Sequence, residues 1–512
     1  MEGNPSATPR SRRCHCGWGL VLLLLLSPSV ALPQKLPYPL VFVQEPFTSE
    51  PVQNATGSRI CVLHPDGRIV VLTQGFAAAA DPCVSFDGQD ILFAGRLQAG
   101  DPWEIWEMAA DGSRKTRLTS AQGDSREPIY LAKAAVDAPD FRDKVRWITF
   151  VSTAPGVADE RGTGPLTSLY AMNLGLVPGR GKVLWRTTYS LGGDLAPTAL
   201  ADGRVLFSAW QRQGFALMTI SWAGEDLNAF YGTHDEFSQL SACELPDHTL
   251  VFVEREGEAG DRSGRLARVS FRRPLRTHQV LSQDSGRYRT PCGLPDSRLL
   301  VARTDGHNSY GLYLFDLEKG RPGTRIYDDP QWQDVDPQPL VSRPEPMGRI
   351  PMVEFASVLD VGGFKNAGQL QCLNVYESDR PEASQIHPGQ VARVRLVSGV
   401  PVPLDQIQIR SDTSTGNSIW PPPFVQTLPL GEVPVEADGS FYVNVPGDMP
   451  FYIENLDAQG QVLMTMRAWA WVRSGDQRGC IGCHENKELA PENRATQALI
   501  RAQPPTLLFP AK

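Results

Sequence analysis

The sequence predicts an all-β protein in which a six-bladed β-propeller is followed by a small β-sandwich-like domain. Two patterns give this prediction. Between about residues 37 and 343, short apolar stretches and turns recur in groups of four strands, the size of one propeller blade. A second region of alternating polar and apolar residues extends from 390 to 472. The 46 glycines and 43 prolines among 512 residues also fit many strands joined by turns better than long helices.

Residues 1–31 are predicted to be a secretory signal peptide. Arg10, Arg12 and Arg13 form a basic start, residues 21–26 an apolar core, and Ser29-Val30-Ala31 a cleavage site. The core is shorter than the roughly 20 apolar residues of a membrane span, and retention as an uncleaved anchor is the alternative. We therefore expect a periplasmic or secreted protein, with no membrane span after cleavage.

Residues 32–345 are predicted to form the propeller. One repeat starts at 81–88 (Asp-Pro-Cys-Val-Ser-Phe-Asp-Gly), where a strand runs into an Asp-Gly turn of the kind that joins hairpin strands. Three more short strands follow before the next repeat. Comparable repeats start near Glu127, Ala196, Cys243 and Pro291.

The two ends of this region are predicted to complete each other. Residues 40–44, 59–63 and 68–73 have the pattern of the last three strands of a blade, and residues 334–340 have that of a first strand. Pairing them closes the ring and covers two exposed strand edges. Five complete repeats and this shared one give six blades, with seven blades or an open array as the alternatives.

Residues 346–512 are predicted to form the second, β-rich domain. A linker over 344–374 leads to strands from 390 onward, including a hairpin over 433–445 with an Asp-Gly turn and a strand pair between 451 and 471. The spacing of Ala495, Leu499 and Ile500 predicts a short helix over 491–502.

Near the C-terminus, Cys480-Ile481-Gly482-Cys483-His484 has the form C-x-x-C-H, which is typical of covalent haem attachment. Cys480 and Cys483 would each bond one haem vinyl group, and His484 would ligate the iron. A zinc site would require a second nearby ligand pair, and a thioredoxin-like motif a βαβ setting, and the sequence offers neither. We expect one covalent haem c.

The formal net charge is −8 and the sequence has no basic run, so we expect no nucleic-acid partner. Cys83, Cys243 and Cys292 recur at one position of three repeats, on strands expected to line the central channel. Cys243 and Cys292 are a possible zinc site, together with His484 or a carboxylate. The alternative is that these thiols simply pack between blades. A disulfide between Cys61 and Cys372 would join the two domains.

Three segments resemble hydrazine synthase alpha subunit-related proteins: 430–441 (Leu-Gly-Glu-Val-Pro-Val-Glu-Ala-Asp-Gly-Ser-Phe), 466–469 (Met-Arg-Ala-Trp) and 480–485. They are similar to the middle domain of that family, which follows a six-bladed propeller, and the propeller repeats here resemble those of the TolB type. The resemblance implies a periplasmic haem protein with its haem against the propeller, a redox role with small nitrogen compounds, and a redox partner or second haem protein.

The chain also departs from that family. In the synthase, the motif histidine is diverted towards zinc and a tyrosine four residues later binds the iron. Here Glu488 occupies that position and no tyrosine follows Tyr452, so we expect His484 to bind the iron. The sequence also ends before a further domain with a bis-histidine haem. We therefore do not expect hydrazine synthesis itself.

Two functions remain open at this stage. One is an exported cytochrome-like protein that transfers electrons or serves a redox enzyme. The other is a non-enzymatic propeller binding module in which the haem is structural or absent. The spacing singles out no sixth iron ligand and predicts no oligomeric state. The candidate ligands by residue type are His64, His278, His307, His387, Met449, Met464 and Met466.

Overall fold

The computed structural model describes residues 36–47, 56–132, 146–175, 182–211, 214–232, 237–257, 262–306, 309–349, 367–378, 383, 385–407, 420–483, 490, 492–501 and 506–507. The predicted signal peptide (1–31), His307, His484 and Glu488 lie outside these residues. Within the described part of the chain, no helix is long and apolar enough to span a membrane.

The first part of the chain is a series of short strands, as the repeats predict. In chain order they are β1 (Leu40–Glu45), β2 (Arg59–Leu63), β3 (Ile69–Val71), β4 (Ala78–Val84), β5 (Asp90–Arg96), β6 (Glu104–Ala109), β7 (Thr116–Arg117), β8 (Ser125–Tyr130), β9 (Trp147–Ser152), β10 (Ser168–Asn173), β11 (Leu184–Arg186), β12 (Asp194–Ala199), β13 (Val205–Gln211), β14 (Gly214–Ile220), β15 (Asn228–Tyr231), β16 (Phe237–Glu244), β17 (Thr249–Glu256), β18 (Arg265–Ser270), β19 (Gln279–Val280), β20 (Arg287–Gly293), β21 (Leu299–Thr304), β22 (Gly311–Asp316), β23 (Arg321–Tyr327) and β24 (Gln333–Pro339). A 3₁₀ turn covers Pro274–Arg276.

These strands form six four-stranded antiparallel sheets, which confirms the six-bladed propeller. Blade 1 has the order β24-β1-β2-β3, and blades 2 to 6 each use four consecutive strands, β4–β7 through β20–β23. The ring closes where β24 pairs with β1, with Leu40 opposite Pro339 and Gln44 opposite Asp334. The last strand of the region thus completes the first blade, as the sequence predicts.

Each innermost strand contains the same irregularity. The pairing with the second strand shifts register near the middle of β4, β8, β12, β16, β20 and β24. At each shift one residue has a positive φ, and in five blades a proline follows it, which suits a β-bulge because proline donates no ladder hydrogen bond. The six positive-φ residues are Asp81, Glu127, Ala196, Ser241, Thr290 and Asp336.

The second part forms two further four-stranded sheets that share one apolar core. Its strands are β25 (Ala367–Cys372), β26 (Arg393–Pro401), β27 (Val425–Pro434), β28 (Phe441–Pro446), β29 (Phe451–Leu456), β30 (Val462–Thr465), β31 (Gln477–Cys480) and β32 (Thr506–Leu507), with a 3₁₀ turn at Leu404–Gln406 and a helix α1 at Gln497–Ile500. One sheet has the order β31-β25-β28-β32 and the other β27-β26-β29-β30. Leu370 and Val443 of the first sheet pack with Val394 and Phe451 of the second, and we call this unit the sandwich.

Three local predictions for the sandwich are wrong. The segment predicted as a linker, 344–374, contains β25, which pairs with β28 and β31 and contributes Leu370 and Cys372 to the core. The Asp-Gly turn forms, with the amide of Gly439 bonded to the carbonyl of Glu436, but β27 and β28 on either side enter different sheets and are not a hairpin. The helix is shorter than expected, and its exposed residues include Leu499 and Ile500, while Ala498 is buried. Apolar spacing alone therefore misjudged which side of this segment contacts the protein.

The sandwich packs against blades 3 and 4 of the propeller. Buried Glu160, in the loop between β9 and β10, accepts a hydrogen bond from the Trp469 indole nitrogen at 2.5 Å. The Arg473 guanidinium donates to the carbonyls of Arg186 and Ala223 at 2.9 and 2.8 Å. Because Trp469 and Arg473 lie between β30 and β31, these contacts fix the segment that leads into the C-x-x-C-H motif.

Candidate functional site

The motif begins as part of the sandwich sheet. β31 runs parallel to β25, with Arg478 opposite Leu370 and Cys480 opposite Cys372. The pairing continues beyond the strand, since the amides of Leu373 and Asn374 donate to the carbonyls of Cys480 and Ile481 at 2.9 and 3.1 Å. The backbone of the first half of the motif is therefore held by β25 and the residues that follow it.

The motif has a glycine at position 482 because the backbone of Glu377 passes very close to it. A Cβ atom on Gly482 would lie 2.2 Å from the backbone carbonyl oxygen of Glu377, well inside contact distance. Only glycine lets the chain pass this point on its way from Cys480 to Cys483. The spacing of the two thiols thus depends on backbone packing between the motif and residues 374–377.

Cys483 is positioned by the opposite sheet. Its sulfur lies 3.4 Å from the side-chain amide nitrogen of Asn455, which is buried in β29. A buried amide needs hydrogen-bonding partners, so Asn455 both satisfies part of its own requirement and orients the thiol. Sequence reasoning missed Asn455, because no motif connects a residue of β29 to the C-x-x-C-H segment.

A fringe of partly buried apolar side chains packs against the sandwich core. Cys480 and Cys483 are themselves part of this fringe. Haem presents a large apolar face, and two half-exposed thiols on the margin of an apolar core fit the attachment of such a group. The other members of the fringe are Tyr376, Ile386, Val435, Met449, Ile453 and Met466.

The structure separates the candidate sixth ligands. His64 lies in the turn between β2 and β3, and His278 lies on Tyr231 with its Nε2 atom 3.1 Å from Glu254, so both belong to the propeller. Met449 and Met466 belong to the fringe of partly buried side chains on the sandwich core. Met449 follows the end of β28 that pairs with Ala367, whereas Cys480 lies opposite Cys372 at the other end of β25. Met466 bonds Ile453 in β29, the strand that contains Asn455.

Two further candidates differ in position. His387 is an exposed residue whose backbone amide bonds Gln390. Met464 in β30 is not among the side chains packed on the sandwich core, but it lies directly opposite Asn455, whose side chain contacts Cys483. Of the two arginines flanking this region, Arg478 donates to the Trp471 carbonyl at 3.0 Å and Arg467 is exposed.

The propeller thiols form a second group. Burial raises the pKa of Cys243, with the neighbouring Cys292 adding to the effect, and burial also raises the pKa of Cys292 to about 11. Cys83 is near Cys292 and its pKa is raised by burial too. These thiols therefore keep their protons at neutral pH, whereas zinc binds thiolates.

Among the described residues, no three His, Cys, Asp or Glu side chains are grouped so as to hold a metal ion. Because His484 lies outside these residues, zinc at Cys243 and Cys292 stays a prediction. The expected disulfide between Cys61 and Cys372 is wrong. Cys61 lies 3.4 Å from the Gln44 side chain within blade 1, whereas Cys372 is in the sandwich core, and neither is disulfide-bonded.

Charged side chains line the ring of bulges in the propeller. The Arg126 guanidinium contacts Asp81 at 2.6 Å, Arg289 contacts Glu45 at 3.0 Å, and Arg262 pairs with Glu127. Burial opposes ionisation of Asp81, but its bonds with Arg126 hold its pKa below the ordinary value. The first two pairs link neighbouring blades, and the third links blades 3 and 5. Sequence reasoning missed them because it followed the cysteines of the same strands.

Comparison with known proteins identifies relatives of the chain. Residues 389–485, which include β26–β31 and the motif, match a protein family described as "Hydrazine synthase alpha subunit middle domain". Hydrazine synthase subunit alpha of Kuenenia stuttgartiensis is 28% identical over 538 residues, which cover 87% of this chain and 65% of that subunit. The chain thus spans about two thirds of the length of this relative.

The chain is also similar to solved structures. The Kuenenia stuttgartiensis hydrazine synthase matches with a TM-score of 0.76 and 26% identity, covering 90% of this chain and 71% of that one. TolB from Acinetobacter baumannii matches with a TM-score of 0.42 and 14% identity over 60% of this chain and 68% of its own. The predicted resemblance to the hydrazine synthase alpha subunit is confirmed, and it extends over the propeller and the sandwich.

Proposed function

We propose that this relative of the hydrazine synthase alpha subunit is an exported redox protein that carries one haem c and works with small nitrogen compounds. The observation that supports the haem is the position of Cys480 and Cys483, which both pack as partly buried side chains on the sandwich core, inside the segment that matches the middle domain of that family. In this proposal both thiols hold the haem and His484 ligates its iron. Such a group supplies one-electron chemistry when bound.

The described residues would each contribute to holding that group. β25 fixes the backbone of Cys480 through the parallel pairing, and Asn455 orients Cys483. Met464 and Met466 would be candidate iron ligands, because both lie beside β29, where Asn455 contacts Cys483, and thioether ligands are common in cytochromes c. The remaining fringe residues would exclude water from the haem face.

The proposed role includes a redox partner or a second haem protein. The relative in Kuenenia stuttgartiensis is longer than this chain, so its activity cannot be transferred whole. Glu488 at the position expected for an iron-binding tyrosine favours electron transfer, or a different reaction of a small nitrogen compound, over hydrazine synthesis.

The test is an absorption spectrum of the full chain made in a bacterial periplasm with haem-attachment machinery. We expect a Soret band that stays with the protein after acid-acetone extraction, because thioether bonds survive that treatment. Cys480→Ala and Cys483→Ala should each lose one thioether and shift the pyridine haemochrome band, and the double variant should lose covalent haem. Cys61→Ala, a matched change in blade 1, should leave the haem in place.

Folded but colourless protein would overturn the proposal and favour the binding-module alternative. A second measurement separates two forms of the redox role. A spectrum that shifts with carbon monoxide indicates an open iron position and chemistry on a small ligand. A spectrum that does not respond indicates a six-coordinate iron and electron transfer.

A further inference from the structure

We propose that Cys372 and Cys480 form a reversible disulfide in the haem-free protein, and that this bond must be reduced before haem can attach to Cys480. The disulfide itself is independent of the proposed function, and only its effect on haem attachment rests on it. Cys372 would then form a thiol–disulfide pair with the first cysteine of the motif, although it lies more than 100 residues earlier in the chain.

The first argument is register. Cys372 and Cys480 are directly opposite each other in the parallel pair of β25 and β31. Neighbouring strands lie roughly 4.8 Å apart, and disulfides join Cα atoms that are about 4.4–6.8 Å apart. A bond between these two positions therefore needs no large movement of either strand.

The second argument is the direction of the side chains. In β25 the alternating residues Gly368, Leu370 and Cys372 are buried, and the residues between them are half-buried. In β31 the alternation continues, with Arg478 and Cys480 less exposed than Gln477 and Gly479. Side chains alternate between faces along a strand, so Cys372 and Cys480 share the core-facing side of the sheet.

Their packing agrees with this assignment. Cys372 is 2% exposed and belongs to the sandwich core, and Cys480 packs against the same core as a partly buried side chain. On the opposite face, Gln477 approaches Gln371 at 3.5 Å. The glutamines thus occupy the outer face of the pair and the thiols occupy the inner one.

The competing bond is the one between the two motif cysteines. Cys483, however, is oriented towards the other sheet, where its sulfur lies 3.4 Å from the amide nitrogen of Asn455. A bond between Cys480 and Cys483 would draw Cys483 away from Asn455 and leave a buried amide short of a partner. The fold thus favours Cys372 as the partner of Cys480.

The chemistry is a thiol–disulfide exchange with an oxidised small-molecule disulfide, for which glutathione disulfide is a suitable reagent. The Cys480 thiolate, as the more accessible of the two, attacks one glutathione sulfur and releases one glutathione. The Cys372 thiolate then attacks the mixed disulfide at Cys480 and releases the second glutathione. The protein loses two electrons and two protons, and one glutathione disulfide becomes two glutathione molecules.

The test uses the full chain produced without haem-attachment machinery and equilibrated in glutathione buffers from reducing to oxidising. After an acid quench, free thiols are alkylated and the protein is digested and mapped by mass spectrometry. We expect a cross-linked peptide pair containing Cys372 and Cys480, lost on reduction. A dominant bond between Cys480 and Cys483, or no bond to Cys480 at any ratio, would overturn the proposal.

Variants extend the test to haem attachment. In a haem-attaching host, Cys372→Ser should incorporate haem at limiting reductant several-fold more completely than the wild type, and Cys61→Ser should behave like the wild type. Equal reductant dependence of Cys372→Ser and wild type would refute the blocking role. If no variant and no wild-type protein binds haem even with excess reductant, the proposed function fails, whereas the peptide map of the haem-free chain still decides the disulfide.

Discussion

The propeller and the sandwich differ in how their sheets end. In the propeller, β24 pairs with β1 to close the ring, and the ion pairs at the bulges join different blades. In the sandwich, β31 is an edge strand of only four residues, and the chain leaves it directly into the motif. The motif thus begins in the last residue of an edge strand, and its backbone remains bonded to the sandwich through Ile481.

This contrast shows how the two parts divide their roles. The repeated blades bury their large apolar side chains almost completely. Five phenylalanines are each at most 1% exposed: Phe42, Phe93, Phe150, Phe207 and Phe252. The sandwich buries a smaller core and keeps a fringe of partly buried side chains that includes Cys480 and Cys483. The propeller thus has the more completely buried interior, and the proposed haem site lies at the edge of the sandwich.

The largest effect should come from breaking the closure of the propeller. Phe42 in β1 is fully buried, and Phe42→Ala should lower the free energy of unfolding by about 3–5 kcal/mol because it leaves a cavity. Phe47→Ala, at a side chain that is 51% exposed, is the matched control and should change it by less than about 0.5 kcal/mol. Chemical denaturation followed by far-UV circular dichroism measures both, and similar losses for the two variants would contradict the closed-ring interpretation.

The contact between the two parts should have the next largest effect. Trp469→Phe keeps the ring but removes the indole donor to Glu160, which should cost about 1–3 kcal/mol. Because this bond joins the propeller to the sandwich, calorimetry should show their unfolding transitions separating. Trp106→Phe removes a bond to the Gly95 carbonyl within blade 2 and should leave the number of transitions unchanged.

The close contact between Gly482 and Glu377 allows a test of how tightly the motif packs at the edge of the sandwich. Gly482→Ala would place a methyl group 2.2 Å from the Glu377 carbonyl oxygen, so we expect a loss of about 1–3 kcal/mol and less complete haem attachment. Gly100→Ala is the control, since nothing lies within 4 Å of its added methyl group. Normal stability and normal haem content in Gly482→Ala would show that the loop can rearrange.

Stability should also depend on pH through buried carboxyls. Burial raises the pKa of Glu160, Asp194, Asp334 and Asp336 to about 7. The folded protein therefore binds protons that the unfolded chain has released between about pH 4 and 7, and its stability falls as pH rises through this window. Each group contributes a slope of about 1.4 kcal/mol per pH unit, which levels off above pH 7.

Glu160→Gln isolates the contribution of Glu160, at the contact between propeller and sandwich, to the pH dependence of stability. The amide keeps the shape of the side chain but does not titrate. Its free energy of unfolding, measured by urea denaturation between pH 5.5 and 8, should depend less steeply on pH than that of the wild type. An identical slope in both proteins would mean that Glu160 has an ordinary pKa in the folded state.

The smallest effect on stability is expected at the methionines that are candidate iron ligands. Met464→Leu and Met466→Leu conserve volume and should each cost less than about 1.5 kcal/mol. If one of these sulfurs binds iron, that variant alone should change the absorption spectrum and lower the reduction potential of the haem. Met449→Leu, beyond the end of β28 that pairs with Ala367, is the control. Unchanged spectra in both candidate variants would exclude methionine ligation at these positions.

The sequence by itself determined those features that repeat or that depend on neighbouring residues. The four-strand units and the complementary patterns at 40–44 and 334–340 specified six blades and their closure, because a strand pattern records which face is buried at every second residue. The C-x-x-C-H spacing located the candidate site, and the Asp-Gly-Ser-Phe segment identified the relatives.

Only the tertiary structure decided which distant residues meet. Asn455 reaches Cys483, Cys372 lies opposite Cys480, and Glu160 contacts Trp469 because strands from separate parts of the chain pack together. The turn at Gly439 illustrates the limit, since its local chemistry fixed the bend but not the sheet that each flanking strand joined. Turn geometry acts over a few residues, whereas sheet membership is chosen by the burial of apolar surface across the whole fold.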